Sequence, residues 1–110
     1  MSEADASDLG EDCPPPPQFP GALVADLPIV NKKGLHARAT AKFVQCVDRY
    51  EAEVKVTRCG ETVGGDSIMG ILTLGAGQGA TITVAATGPQ AAEAMDALIA
   101  LVAGRFGEDD

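Results

Sequence analysis

The chain has 110 residues and a formal net charge of −8, a length that fits one domain with a modest core. Glu3, Asp5, Asp8, Glu11, Asp12, Glu108, Asp109 and Asp110 stand in ends that contain no base, while the eight remaining acids meet all eight Lys and Arg between residues 21 and 107. The folded part is therefore neutral overall and lacks the basic, aromatic-interleaved surface that nucleic acid requires, so no nucleic-acid partner is expected.

Residues 1–21 combine scattered acids with the run Pro14 to Pro17, a composition too poor in apolar surface to order itself. They are expected to form a flexible extension before a domain at 22–107, with 108–110 as an acidic tail. Leu23, Ala25, Leu27 and Ile29 then share one face of a period-2 strand in which Pro28 suits an edge or a bulge, since it cannot donate to a ladder. A turn from Asn31 to Gly34 leads into a helix over about 37–50, where Thr40, Phe43, Val44 and Val47 form the apolar stripe and Lys42, Gln45, Asp48 and Arg49 face away.

The alternation of Glu53 to Thr57 predicts a second strand, and Arg58-Cys59-Gly60-Glu61 a hairpin with Gly60 at the positive-φ position of a type I turn plus bulge. Glu61 to Gly65 returns as a short strand. Asp66 or Ser67 caps a brief helix from Ile68 to about Leu74, and the loop Gly75 to Gly79 follows. That loop precedes a strand and has no Lys-Ser/Thr after it, so it reads as a turn and not as a phosphate cradle. Ala80 to Ala86 alternates as the fourth strand. Pro89 is placed at the first position of the last helix, whose stripe is Ala91, Ala94, Met95, Leu98, Leu101 and Val102. The order βαββαβα predicts an α+β open-faced sandwich, a four-stranded antiparallel sheet carrying three helices on one face.

Three cysteines, Cys13, Cys46 and Cys59, are odd in number and lack CxxC spacing, which argues against a disulfide framework; with a single histidine the ligands for a structural metal are too few. No metal or cofactor is expected. Neither a leader segment nor a run approaching the ~20 apolar residues of a membrane span is present, so a soluble, cytoplasmic, monomeric protein without membrane insertion is the expectation.

The stretch that carries chemistry is Asn31-Lys32-Lys33-Gly34-Leu35-His36-Ala37-Arg38-Ala39-Thr40. It sets the only histidine at the start of a helix, where free backbone N–H groups and the positive end of the macrodipole favour an anion. Arg38 adds a planar cation able to grip phosphate through two hydrogen bonds. A helix-capping or surface histidine is the bland alternative for His36, and a simple cap the bland alternative for Ser67.

Gly34-Leu35-His36-Ala37-Arg38 within a βαββαβα chain resembles the phosphorylation site of the HPr family, the histidine phosphocarriers of the bacterial phosphoenolpyruvate-dependent phosphotransferase system. Gly65-Asp66-Ser67-Ile68-Met69-Gly70 resembles that family's regulatory-serine region. The similarity spans about residues 23–106. It implies a carrier and not an enzyme, in which His36 takes a phosphoryl group on Nδ1 from phosphorylated enzyme I and passes it to an EIIA-type acceptor. Arg38 and the Ala37 backbone N–H would hold the phosphate. The resemblance also makes Ser67 a candidate for HPr kinase/phosphorylase and Ile68 and Met69 candidates for partner docking. Where many family members have proline after the arginine, this chain has Ala39, a departure similar to alphaproteobacterial, HPr/NPr-like proteins. It turns the expectation from sugar transport toward nitrogen-type regulation. A regulatory binding module acting through Ser67 without transfer is the rival reading, and it would have no need of His-x-Arg at a helix start.

Overall fold

The computed structural model describes residues 13–108. Four strands, β1 (Leu23–Pro28), β2 (Glu53–Arg58), β3 (Glu61–Gly64) and β4 (Thr81–Thr87), form one antiparallel sheet in the order β1-β4-β2-β3. Three helices, α1 (Ala37–Asp48), α2 (Ile68–Thr73) and α3 (Ala91–Ala103), pack on one face, and a 3₁₀ turn at Arg105–Gly107 follows. This is the open-faced sandwich that the patterning predicts.

Alternation assigns the two faces of the sheet. Leu27 lies opposite Ile82 and Val56 opposite Val84, and all four are buried beneath the helices with Phe43, Ile71 and Leu98. Full burial of each such side chain contributes roughly 1.5–3 kcal/mol. On the outer face Asp26, Thr83, Thr57 and Thr62 form a row across β1, β4, β2 and β3. Their hydroxyls are satisfied within the row: Thr83 Oγ1 donates to Asp26 Oδ1 (2.8 Å), and the Thr57 and Thr62 hydroxyls bond to each other at 2.7 Å. Pro28 falls on the edge strand β1, opposite Thr81, where a missing N–H disrupts least.

Several expectations are corrected. The hairpin is the two-residue kind, with Arg58 paired to Glu61 and both central residues left-handed, Cys59 at φ 51° and Gly60 at φ 82°; that twist matches the strands better than a type I turn does. Pro89 lies before the helix cap, because Gln90 is the N-cap and is tied to Glu51: its N–H donates to Glu51 O (2.9 Å) and its Oε1 accepts from Glu51 N–H (2.8 Å). Lys42 does not simply face away, since its Nζ donates to Phe106 O at 2.6 Å.

Cys13 and Cys59 form a disulfide. Spacing rules could not anticipate it, because the two are 46 residues apart in sequence and meet only where the N-terminal segment runs back over the β2–β3 hairpin. Pro14 then lies against Gly60, while Gln18, Phe19 and Pro20 border the outer face near Lys55 and Ala85. From Cys13 onward, therefore, the extension is fastened to the domain; its first twelve residues lie outside those described. The third cysteine, Cys46, is free and buried in α1, and burial pushes its thiol pKa up against the smaller opposing effect of Arg49.

Candidate functional site

The turn before α1 is shaped by close packing. Gly34 has φ 67°, and a side chain there would press to 2.6 Å from Ala76 O and Gly77 Cα. Only glycine fits both the conformation and the space. Leu35 N–H donates to Ala76 O (2.8 Å), so the Gly75 to Gly79 loop is a turn, as expected, and also the floor beneath the histidine turn. Buried Thr40 donates Oγ1 to Leu35 O (3.2 Å) from the first turn of the helix.

His36 is the N-cap residue of α1, with extended backbone (φ −76°, ψ −178°) and no side-chain capping bond. The first helix bond runs from Thr40 N–H to His36 O (2.8 Å), which leaves the Ala37, Arg38 and Ala39 amides without an intrahelical acceptor. Ala37 and Arg38 are exposed. An open depression at this point is lined by Lys32, Lys33, Arg38 and Lys42 around His36, with Glu108 the one acid among the lining residues. Four cations at a helix start are an arrangement that can hold a dianion.

The imidazole is less open than a bare surface histidine, its side chain being 28% exposed. Glu108 is the reason. On sequence it belonged with the tail acids, yet its Oε2 is bonded to His36 Nε2. Its Oε1 accepts from Asn31 Nδ2 (2.9 Å), and the same amide nitrogen donates to Gly34 O (2.8 Å). Asn31 is fully buried, and its Oδ1 has no hydrogen-bond partner among the described residues. The bonds from Asn31 and then His36 hold the Glu108 carboxyl below the usual carboxylate range; a smaller desolvation effect opposes them, and charge interactions with His36 and then Lys33 assist least.

Glu108 reaches the site through an unusual backbone. Arg105, Phe106 and Gly107 all have positive φ, at 59°, 56° and 73°, a costly sequence for two non-glycine residues. It is held by Phe106, buried to 1% exposure, and by the Lys42 bond to the Phe106 carbonyl.

Ser67, Ile68 and Met69 occupy a second helix start. Ser67 is the N-cap of α2, and its Oγ accepts from Gly70 N–H (3.0 Å). A side chain on Gly70 would meet Ser67 Oγ at 2.9 Å and Val63 Cβ at 3.0 Å, so the cap and β3 require glycine there. Ile68 and Met69 are exposed, 42% and 70%, whereas Ile71 fills the core. α2 packs against α1.

The sequence thus found His36, Ala37 and Arg38 as one group and missed Asn31, Lys42 and Glu108 as its supports. The turn stretch contained Asn31, but nothing local distinguishes an exposed turn asparagine from a buried one. An acid near the end of the chain carries no periodic signal at all.

A partly exposed imidazole among cations at a helix start, bordering an open depression, is suited to carrying an anionic group at the surface. Comparison with known proteins is specific. Residues 24–104 match the family model described as the PTS HPr component phosphorylation site. The phosphocarrier protein HPr of Cupriavidus necator is 50% identical over 88 residues, covering 80% of this chain and 99% of the relative. That of Neisseria meningitidis serogroup A is 44% identical with the same coverages. The crystal structure of HPr-C-His from Thermoanaerobacter tengcongensis superposes with a TM-score of 0.77 at 38% identity, over 80% of this chain and 99% of the other. The chain belongs to the HPr family, the phosphocarriers of the phosphotransferase system. It is a phosphocarrier and not a catalytic enzyme. Among the described residues no helix is long and apolar enough to cross a membrane.

Proposed function

We propose that His36 is the phosphoryl acceptor, receiving the group from phosphorylated enzyme I and passing it to an EIIA-type protein. The observation that carries this reading is the placement of the imidazole. It stands at a helix N-cap without capping anything, beside free amides and inside a ring of cations. Arg38 and the Ala37 backbone N–H bind the phosphoryl oxygens. Little further catalysis is asked of the carrier, because a loose transition state needs alignment and charge stabilisation, and donor and acceptor proteins bring much of both.

Exposed Ile68 and Met69, on a helix packed against α1, supply the apolar part of the docking surface. Ser67, beside them, is the regulatory position, a substrate for HPr kinase/phosphorylase. The carrier domain is taken as 22–107, with Glu108 at its edge completing the site, acting as a monomer in the cytoplasm, where both partners must reach His36 in turn. Ala39, buried with no exposed surface where many relatives carry proline, favours a nitrogen-type regulatory chain over sugar uptake.

Incubation with phosphoenolpyruvate, magnesium and enzyme I is expected to place an acid-labile, base-stable phosphate on His36. Its absence with a proven cognate donor would overturn the carrier reading. Faster onward transfer to a sugar-type than to a nitrogen-type EIIA would overturn the regulatory assignment alone.

A further inference from the structure

An ionised carboxylate can only accept hydrogen bonds. The ring nitrogen bonded to Glu108, Nε2 of His36, therefore carries the proton, and in a neutral imidazole the lone pair then lies on Nδ1. The carboxylate is itself held. Both partners of Asn31 Nδ2, Gly34 O and Glu108 Oε1, are acceptors, which sets the orientation of that buried amide and, through it, of the carboxylate. The left-handed run Arg105 to Gly107 and the buried Phe106 deliver Glu108 to this position from the end of α3. An asparagine and a histidine from one turn and a glutamate from the far end of the domain thus form one hydrogen-bonded line ending on the ring.

We propose that Glu108 is a positioning residue for phosphoryl acceptance, holding Nε2–H of His36 so that Nδ1 is the attacking nitrogen, with Asn31 holding Glu108 in turn. The proposal rests on His36 being the acceptor and deepens that reading. In the step, the Nδ1 lone pair forms the bond to phosphorus while the bond from phosphorus to the donor atom breaks, its electron pair leaving with the donor. The ring keeps Nε2–H and becomes cationic, and the Glu108 carboxylate faces that charge at the nitrogen opposite the reaction. On onward transfer the N–P electron pair returns to Nδ1 and the ring is neutral again. No proton has to leave the histidine in either direction. A buried asparagine and a carboxylate thereby do for a phosphoryl acceptor what an orienting acid does for a histidine base, fixing tautomer and ring and stabilising the imidazolium.

The only histidine of the chain can be read by nitrogen-15 NMR without ambiguity. In the unphosphorylated wild-type protein, at a pH where the ring is neutral, Nε2 is expected to carry the proton; a proton on Nδ1 overturns the proposal without any variant. Wild type and Glu108→Ala are then phosphorylated with phosphoramidate, a small donor that needs no docking, and with phosphorylated enzyme I. The nitrogen bearing phosphorus is read from its coupling. Wild type is expected to carry phosphate on Nδ1 alone. Glu108→Ala is expected to add an Nε2 population with phosphoramidate and to accept from enzyme I roughly tenfold more slowly, the scale of losing a carboxylate that orients a histidine. Exclusive Nδ1 phosphate at the wild-type rate in Glu108→Ala overturns the role of Glu108 and leaves the carrier reading intact. No phosphate on wild-type His36 from either donor overturns the carrier reading, and this proposal with it.

Discussion

The molecule contains two helix starts whose N-cap side chains are used in opposite ways. At α2 the N-cap side chain is committed to the backbone, Ser67 Oγ accepting from Gly70 N–H. At α1 the N-cap side chain makes no such bond, and His36 turns to Glu108 and to solvent instead. Surroundings follow the same division. Lys32, Lys33, Arg38 and Lys42 border the α1 start, whereas the α2 start is followed by exposed Ile68 and Met69. A capping bond spends a side chain on stability; leaving it unmade keeps the side chain for chemistry, and the packing of Gly34 on the Ala76–Gly77 backbone supplies the order that the missing cap does not.

Substitutions can break that contrast. The largest effect is expected from His36→Ala, which should abolish phosphoryl acceptance in a transfer assay. Because no cap is lost, its unfolding free energy should stay within about 1 kcal/mol of wild type; a larger loss would show a structural histidine. Arg38→Ala should come next, slowing transfer from enzyme I by on the order of tenfold or more with little change in thermal midpoint. A collapse of the midpoint would mean that the guanidinium holds the fold together.

Ser67→Ala should show the reverse profile, losing about 1 kcal/mol in denaturant titrations with phosphotransfer unchanged. Ser67→Asp separates cap from charge, since aspartate also caps well. It should keep stability and slow transfer from enzyme I, and unchanged kinetics would reduce Ser67 to a cap. The smallest effect concerns pH. The Glu108 carboxyl is held below its unfolded value by Asn31 and then His36, so its contribution is complete above the ordinary glutamate pKa of about 4.3 and is lost as pH falls through the lower folded value. The difference in melting temperature between wild type and Glu108→Ala should accordingly shrink on acidification. A difference that grows instead would contradict the direction of that shift.

Much of the frame was legible in the sequence because it is written in local periods. The two-residue alternation of Glu53 to Thr57 and the stripe of Ala91, Ala94, Met95, Leu98 and Val102 report which face is buried whatever the rest of the chain does. The candidate acceptor histidine was equally local, a single imidazole at a glycine-to-helix junction. Apart from the turn type of the Arg58–Glu61 hairpin, the features that failed to show share one property, which is that their partners lie far apart along the chain. Cys13 meets Cys59 only because the proline-rich segment folds back over the hairpin. Pro89 looked like a helix start until Gln90 took that place through its bonds to Glu51.

The same distinction runs through the functional centre. The sequence by itself determined the candidate acceptor and the helix start beside it, since Gly34, His36, the amides of the first turn and Arg38 are neighbours in the chain and their chemistry follows from residue type and backbone position. Only the tertiary structure decided how the imidazole is presented. Asn31 and Glu108 are 77 residues apart, and they converge because burial of Phe106 anchors a left-handed turn that no residue pattern announces. Local periodicity encodes which residues form an element and which face it buries; the meeting of Asn31 and His36 with Glu108 depends on how the whole core packs.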